Sequence, residues 1–325
     1  MTIDNKFSAR QQNLQAILNL LDKYDRLSAK ELSNYTGLSI VSINKLLEVL
    51  ITSSNIIAID YLNTRGRRAK IYRLNYDTID LGIVQLEEIN NKIQATYSLT
   101  DLSGKILLKK SNNAAITSIS QLTKFISQET NKHKPEKIII GVPGAELNGY
   151  LQLSDVESLR GINLSLAIRT ATNVETIVVN DANATTFGAA TELNQSGNTA
   201  VGLYFPKNSG PGVGIVINNQ LINGADGLAG EIEYSTVDIH NSPSQQIISH
   251  IQNIISFLNP HLILVYADKL ALTDLQIDQI KQTVHRNLPL HEKYKLDFDR
   301  NFESDYLTGL TTIGRKNILK NIIVN

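Results

Sequence analysis

The 325-residue chain has no cysteine and no tryptophan, one methionine and seven prolines. Without cysteine it can form neither a disulfide nor a thiolate metal site, which suits a reducing compartment. No apolar run approaches the roughly 18 residues that a membrane-spanning helix needs. The opening stretch M-T-I-D-N-K-F-S-A-R-Q-Q lacks the apolar core of a signal peptide. A cytoplasmic protein with no membrane partner is therefore expected. Low-complexity segments and short-period repeats are missing too. The six histidines (His133, His240, His250, His261, His285 and His291) show no metal-ligand spacing, so each is expected to be structural or superficial. Hydrophobic residues make up 42% and charged residues 19%, enough for a packed core, and the length suggests two or three domains.

Net charge is zero, yet unevenly spread. Residues 1–76 hold 11 Lys or Arg against 6 Asp or Glu, a net of +5, which leaves −5 for the rest. A basic front end on an acidic body points to a polyanionic partner. Within residues 10–24, Leu14, Ile17, Leu18 and Leu21 share one helical face. Ser28 followed by Glu31 fits a capping box that opens a second helix. Gly37 suits the tight turn after it, and Ser39 can cap a third helix whose Ile43, Leu46, Leu47 and Leu50 lie on one side. Two short helices around a Gly turn resemble a helix-turn-helix. Two β-like runs, I-I-A-I-D-Y and A-K-I-Y-R-L, then flank L-N-T-R-G-R-R, as a hairpin wing would. This is the order of a winged helix. Arg65, Arg67 and Arg68 are placed at the wing tip to meet DNA phosphates or the minor groove. Ser39, Ser42, Asn44 and Lys45 are placed on the half of the third helix that points at base edges, where Asn pairs with adenine and Lys with guanine or phosphate. Ile40 and Val41 are open between thymine-methyl contacts and packing.

From about residue 79 the rhythm changes. L-G-I-V-Q-L, K-I-Q-A-T-Y-S-L and K-I-L-L-K-K read as a meander, with Asp101–Gly104 as one turn. Helix follows over 117–132, and strands at K-I-I-I-G-V-P-G and T-I-V-V-N-D. Two strands lie within 198–222, then helices over 243–258 and 273–286 around the strand H-L-I-L-V-Y, and a last helix. Strands and helices in two successive groups predict a two-lobed α/β body. Asp181, in V-N-D-A-N-A, falls at a strand-to-helix junction. Three roles are open to it: hydrogen-bond acceptor for a ligand, general base, or helix cap contributing about 1 kcal/mol.

Several stretches, in order, carry a resemblance. They are T-G-L-S-I-V-S-I-N-K-L-L, G-R-R-A-K-I-Y-R-L, G-V-P-G at 141–144, V-N-D-A-N-A at 179–184, and G-P-G-V-G-I-V-I-N-N-Q-L-I-N-G-A-D-G-L-A-G-E-I at 210–232. Together they resemble the ROK family (repressors, open reading frames and sugar kinases), in particular its regulators of the xylose- and N-acetylglucosamine-repressor type. The resemblance implies a winged helix-turn-helix over 1–76 and a two-lobed actin-like (ribonuclease H-like) sugar-kinase fold. Its first lobe would cover 77–197, completed by the helix at 303–325, and its second 198–302. It implies a sugar site between the lobes using Gly144, Ser154, Asn180, Asp181, Glu231 and Tyr234, with Tyr234 standing where the family has a zinc-binding His.

Three departures from the family bear on chemistry. The phosphate loop D-x-G-x-T becomes L-G-I-V-Q-L-E-E, and Glu87 and Glu88 bring negative charge to the place of the nucleotide phosphates. Two like charges ~4 Å apart repel by about 4 kcal/mol at an effective dielectric near 20. The zinc loop is missing, and a late Gly-Gly is replaced by Val265-Tyr266-Ala267-Asp268. Gly210, Gly212 and Gly214, which could cradle phosphate, are then expected to form an inherited β-turn. The expectation is a repressor of carbohydrate-metabolism genes that answers to a sugar or sugar phosphate. It would bind an operator as a dimer, with no catalytic residue, metal or cofactor. A sugar kinase with an added DNA module and a ligand-independent DNA-binding regulator with a relic cleft are the alternatives.

Overall fold

The computed structural model describes residues 8–54, 56–63, 68–89, 92–112, 114–154, 157–193, 197–206, 210–298 and 300–324. They fall into two units. One holds residues 1–80, 101–105 and 314–325; the other holds 81–100 and 106–313.

The N-terminal unit is built by local caps. Ser8 and Gln11 close a capping box on α1 (Ala9–Tyr24), whose Leu14, Ile17, Leu18 and Leu21 are all buried. After the short strand β1 (Leu27–Ser28), Ser28 and Glu31 form the expected box on α2 (Ala29–Thr36). Gly37 closes that helix at φ +73°, a conformation that costs a glycine little. The Ser39 hydroxyl accepts from the Ser42 backbone N–H (3.2 Å) and so caps α3 (Ile40–Ser54). Ile43, Leu47 and Leu50 face the core. Strands β2 (Ile57–Asn63) and β3 (Arg68–Leu74) pair antiparallel from Ile57↔Leu74 to Asn63↔Arg68, and β1 adds to β3. Helix, helix-turn-helix and hairpin thus follow in the expected order. The chain's last turns join this unit. The Arg315 guanidinium lies 2.7 Å from Asp22 of α1, both side chains nearly buried. It also donates to the Leu102 carbonyl (2.9 Å), and the Gln11 amide donates to the Ile323 carbonyl (3.1 Å).

The larger unit contains two five-stranded sheets. In the first, β4 (Asp80–Ile89), β5 (Lys92–Asp101) and β6 (Ile106–Asn112) run on from one another. Helix α4 (Ile119–Thr130) leads to β7 (Lys137–Val142), and β7 pairs parallel with β4. Every residue of β7 is buried, as its unbroken apolar run requires of a central parallel strand. A hairpin, β8 (Gly144–Leu147) and β9 (Tyr150–Ser154), and helix α5 (Leu164–Thr172) precede β10 (Thr176–Asn180), which pairs parallel with β7 at the sheet edge. After α6 (Asp181–Glu192), the second sheet assembles β11 (Thr199–Tyr204), β12 (Gly212–Ile217) and β13 (Gln220–Leu221). Helices α7 (Pro243–Leu258) and α8 (Asp274–Asn287) alternate with β14 (Leu262–Tyr266) and β15 (Lys295–Asp297), and α9 (Phe302–Val324) closes the chain. The sheet order is β13-β12-β11-β14-β15. Each sheet has its own apolar cluster, one around Ile138, Ile140 and Leu122, the other around Ile251, Ile263 and Val265. These are the two lobes of an α/β, actin-like body.

Helix α6 is the piece both lobes rest on. Its first ten residues are buried, although it carries small and polar side chains rather than an apolar stripe. Glycine explains how. A Cβ on Gly202 or Gly214 would lie 2.1–2.2 Å from the Thr186 hydroxyl, so β11 and β12 can approach α6 only without side chains there. On its other side, a Cβ on Gly188 would fall 2.0 Å from the Asp305 carbonyl, and one on Gly309 would fall 1.8 Å from the Ala184 carbonyl. Gly212 and Gly214 are therefore strand residues seated against a helix, not the expected β-turn. Helix α9 is shared: its residues to Ile313 belong to this unit and those from Gly314 to the N-terminal one, whereas the whole of 303–325 was expected to complete the first lobe.

Gly309→Ala should separate α6 from α9 and destabilise the body by about 1–3 kcal/mol, the usual cost of overpacking. Thermal unfolding checks it; an unchanged melting temperature would contradict the close contact.

Candidate functional site

Asp181 is the first residue of α6, and the helix cap is its neighbour. The Asn180 amide oxygen accepts from the Asn183 backbone N–H (2.9 Å), while its nitrogen donates to the Gly144 carbonyl (3.1 Å). The capping role weighed for Asp181 thus belongs to Asn180. Both ends of the Asn180 amide are engaged, so it pins β8 to α6, and it also lines the cavity described next. Asp181 is 8% exposed and accepts from the Ala182 backbone N–H (2.8 Å). Its carboxylate sits at a helix N-terminus, where the backbone dipole favours negative charge.

Asp181 and Glu231 line one cavity of about 210 Å³, together with Gly144, Ser154 and Tyr204. Glu231 is held by its chain: a Cβ on the preceding Gly230 would strike the Val213 carbonyl at 1.8 Å, and the Val213 N–H donates to the Gly230 carbonyl (3.0 Å). Gly144 has φ +139° and a Cβ there would meet the Leu153 carbonyl at 2.0 Å. It is needed for the β8–β9 pairing, in which it sits opposite Ser154. Ser154 is buried, its hydroxyl 3.4 Å from the Pro143 carbonyl. Tyr234, expected at this site, is 72% exposed and is not among the lining residues. The 3-10 turn Ile232–Tyr234 that follows Glu231 carries its ring out to solvent.

Among the lining residues that were not anticipated are Arg160 and Tyr204. Arg160 is the one cation of the cavity wall among the described residues and donates from Nε to the Ser154 carbonyl (2.8 Å). Tyr204 stacks on Phe302, with ring centroids 4.2 Å apart. Arg160 follows the β8–β9 hairpin, whose Asn148-Gly149 turn is a sequence signal in its own right: both residues have positive φ.

The β4 end of the lobe interface is filled from within. The Lys269 ammonium donates to the Glu88 carbonyl (3.2 Å) and to the Tyr204 hydroxyl (2.9 Å). Glu87 is half-buried. Burial, reinforced by the Glu303 carboxylate, raises its pKa from 4.5 to about 7 against the pull of Lys269 and Lys109. Tyr266, in the segment that replaces the family's Gly-Gly, is buried and donates to Asp305 (2.7 Å), which is also paired with Arg300. This region thus holds a half-buried carboxyl, an ammonium and packed tyrosines. There is no zinc set: the chain has no Cys, and among the described residues no group of three His, Cys, Asp or Glu is placed to hold a metal. No described helix is long and apolar enough to cross a membrane.

In the N-terminal unit, Ser39, Asn44 and Lys45 are exposed on α3, and Ser42 is half-buried with its hydroxyl 3.0 Å from that of Ser39. Ile40 and Val41 are also exposed, at 47% and 65%, so they do not pack into the core. Arg65 and Arg67 lie outside the described residues; Arg68 opens β3 opposite Asn63.

A winged helix joined to a two-lobed actin-like body defines a class, and comparisons narrow it. Residues 91–247 match the model of the ROK family. The chain is 26% identical over 258 residues to the xylose repressor of Bacillus subtilis (strain 168), a match covering 74% of this chain and 64% of that protein. The chain thus matches somewhat under two thirds of the length of its curated relatives. In structure it is similar to a ROK family transcriptional regulator that is a homologue of the E. coli MLC protein. That match has a TM-score of 0.75 and 17% identity, over 97% of this chain and 99% of that one. It is also similar to a ROK hexokinase from Thermus thermophilus, with a TM-score of 0.60 and 13% identity, over 72% and 97%. These likenesses show the fold.

Between about pH 4.5 and 7 the folded chain keeps the Glu87 proton that the unfolded chain has released. Stability should therefore fall as pH rises through that window. Glu87→Gln should flatten this part of the melting-temperature profile and melt higher than the parent at pH 8. Parallel profiles for the two proteins would contradict a neutral Glu87.

Proposed function

We propose that the protein is a transcriptional repressor of carbohydrate-metabolism genes whose operator binding is set by a sugar held in the Asp181–Glu231 cavity, and that it does not transfer phosphate. The observation that carries this reading is the contrast across one cleft. The sugar side keeps two carboxylates on fixed backbone, and two oxygens on each suit pairs of neighbouring hydroxyls. The phosphate side is occupied by Lys269, Glu87 and Tyr266. A base needs a phosphoryl acceptor aligned with a donor, and the second requirement has no place here. The named function of the Bacillus relatives supports the same reading.

DNA contact is assigned to Ser39, Ser42, Asn44 and Lys45 on α3 and to Arg65, Arg67 and Arg68 in the wing. A two-fold dimer would match half-sites one helical turn apart. The sugar acts by preferring one lobe geometry: moving occupancy from 99:1 to 1:99 needs about 5.5 kcal/mol of differential affinity.

Operator titrations with and without a panel of pentoses, hexoses and their phosphates test the reading. One sugar should shift operator affinity, and Asp181→Ala should abolish the shift while leaving sugar-free affinity within about twofold. ATP-dependent phosphorylation lost in Asp181→Ala would make the protein a kinase, and no response to any sugar would favour a relic cleft. Separately, the triple variant Arg65→Ala, Arg67→Ala, Arg68→Ala should bind the operator at least tenfold more weakly and with a shallower salt dependence. Unchanged affinity would remove the wing from the interface.

A further inference from the structure

A second cavity, of about 330 Å³, lies behind the first. Its walls are the edge strands of the two sheets, β10 and β13, with β8, the first turn of α6 and Ile313 of α9. It shares Gly144 and Asn180 with the Asp181–Glu231 cavity but neither carboxylate. Its own polar side chains are Glu146, Asn183 and Asn223. Asn183 is 8% exposed, and its side-chain oxygen is buried with no hydrogen-bond partner among the described residues. The same holds for one carboxylate oxygen of Glu146, whose burial holds its carboxyl above the usual range. Buried acceptors are normally satisfied, and these two belong to residues that line one groove.

We propose that this groove is a second ligand site, for a neutral polyhydroxylated small molecule such as a sugar or polyol. Hydroxyl groups supply the donors that Glu146 and Asn183 lack, and Ile177, Val179 and Leu221 offer apolar surface to the C–H faces of such a molecule. Among the described residues no Lys, Arg or His lines the groove, so an anion such as a sugar phosphate finds no partner there. The volume lies in the range of small-molecule pockets. Because the wall joins β10 and α6 of the first lobe to β13 of the second, a molecule bound there favours one lobe spacing. It is then coupled to whatever occupies the front cavity, and the coupling is reciprocal.

The two cavities can be separated by mutation. Calorimetric titration of the full chain with D-xylose, D-glucose, xylitol and myo-inositol, and with glucose 6-phosphate as the anionic comparator, would be run on the parent and on the double variant Asp181→Ala, Glu231→Ala. At least one neutral probe should still bind the double variant. Adding Glu146→Ala or Asn183→Ala should weaken that binding at least tenfold, and glucose 6-phosphate should not bind the double variant. The melting temperature of each protein reports folding; Glu146 is half-exposed, so Glu146→Ala decides if Asn183→Ala unfolds. The proposal is overturned if the double variant binds no neutral probe, or if its binding is indifferent to Glu146→Ala. Loss of the front site alone would appear as parent and double variant binding alike, which leaves the two proposals distinguishable.

Discussion

The body depends on one constraint: α6 must approach other backbone closely on two sides. Gly202 and Gly214 let the second sheet press on Thr186, and Gly188 and Gly309 let α9 cross at backbone distance. A helix buried this way cannot shift by a fraction of an ångström without a clash, because interiors are packed as densely as crystals. Its first residue, Asp181, inherits that rigidity. Asn180 adds a second restraint by capping the helix and holding the Gly144 carbonyl at once. A fixed carboxylate at a cavity wall is what selective recognition of hydroxyl groups requires, since its geometry is set before any ligand arrives.

The same helix divides the cleft into unequal halves. On one side the groups are mostly small, glycine-framed and polar; on the other, Phe302 packs against Tyr266, Tyr306 and Tyr204, the last of which also lines the front cavity, with Lys269 over the Tyr204 ring. This side carries packed aromatic rings and a half-buried carboxyl rather than an open, glycine-rich loop. Helix α9 carries both arrangements onward. Its first turns bear Asp305, Tyr306 and Gly309, and its last turns belong to the N-terminal unit, where Arg315 meets Asp22 of α1. That ion pair is nearly buried, and breaking one partner of such a pair costs far more than breaking an exposed one.

Much of this was legible in the sequence, for local reasons. Ser28 with Glu31, Gly37 and Ser39 are short-range signals, and each forms the cap or turn it announces. The K-I-I-I-G-V run could hardly be anything but a buried strand. What escaped depends on contacts far apart in the chain. Gly212 and Gly214 read as a turn, because nothing nearby says that Thr186 will lie against them. The bond from Asn180 to Gly144 could not be read, because its partner is 36 residues away. Tyr234 was placed in the pocket by analogy with a metal-binding His, but without a metal to hold it inward the ring is exposed. The β8–β9 hairpin and Arg160 are different: Asn148-Gly149 announced the turn, and Arg160 follows from it.

The central claim is that Asp181 recognises sugar hydroxyls and does no chemistry. A crystal structure of the protein with its sugar effector and ATP both supplied tests it most directly. The account predicts sugar in the front cavity, the Asp181 carboxylate within hydrogen-bond distance of its hydroxyls, and no nucleotide beside Lys269 and Glu87. A nucleotide bound there with its terminal phosphate facing the sugar, or a sugar phosphate product in the cavity, would contradict it.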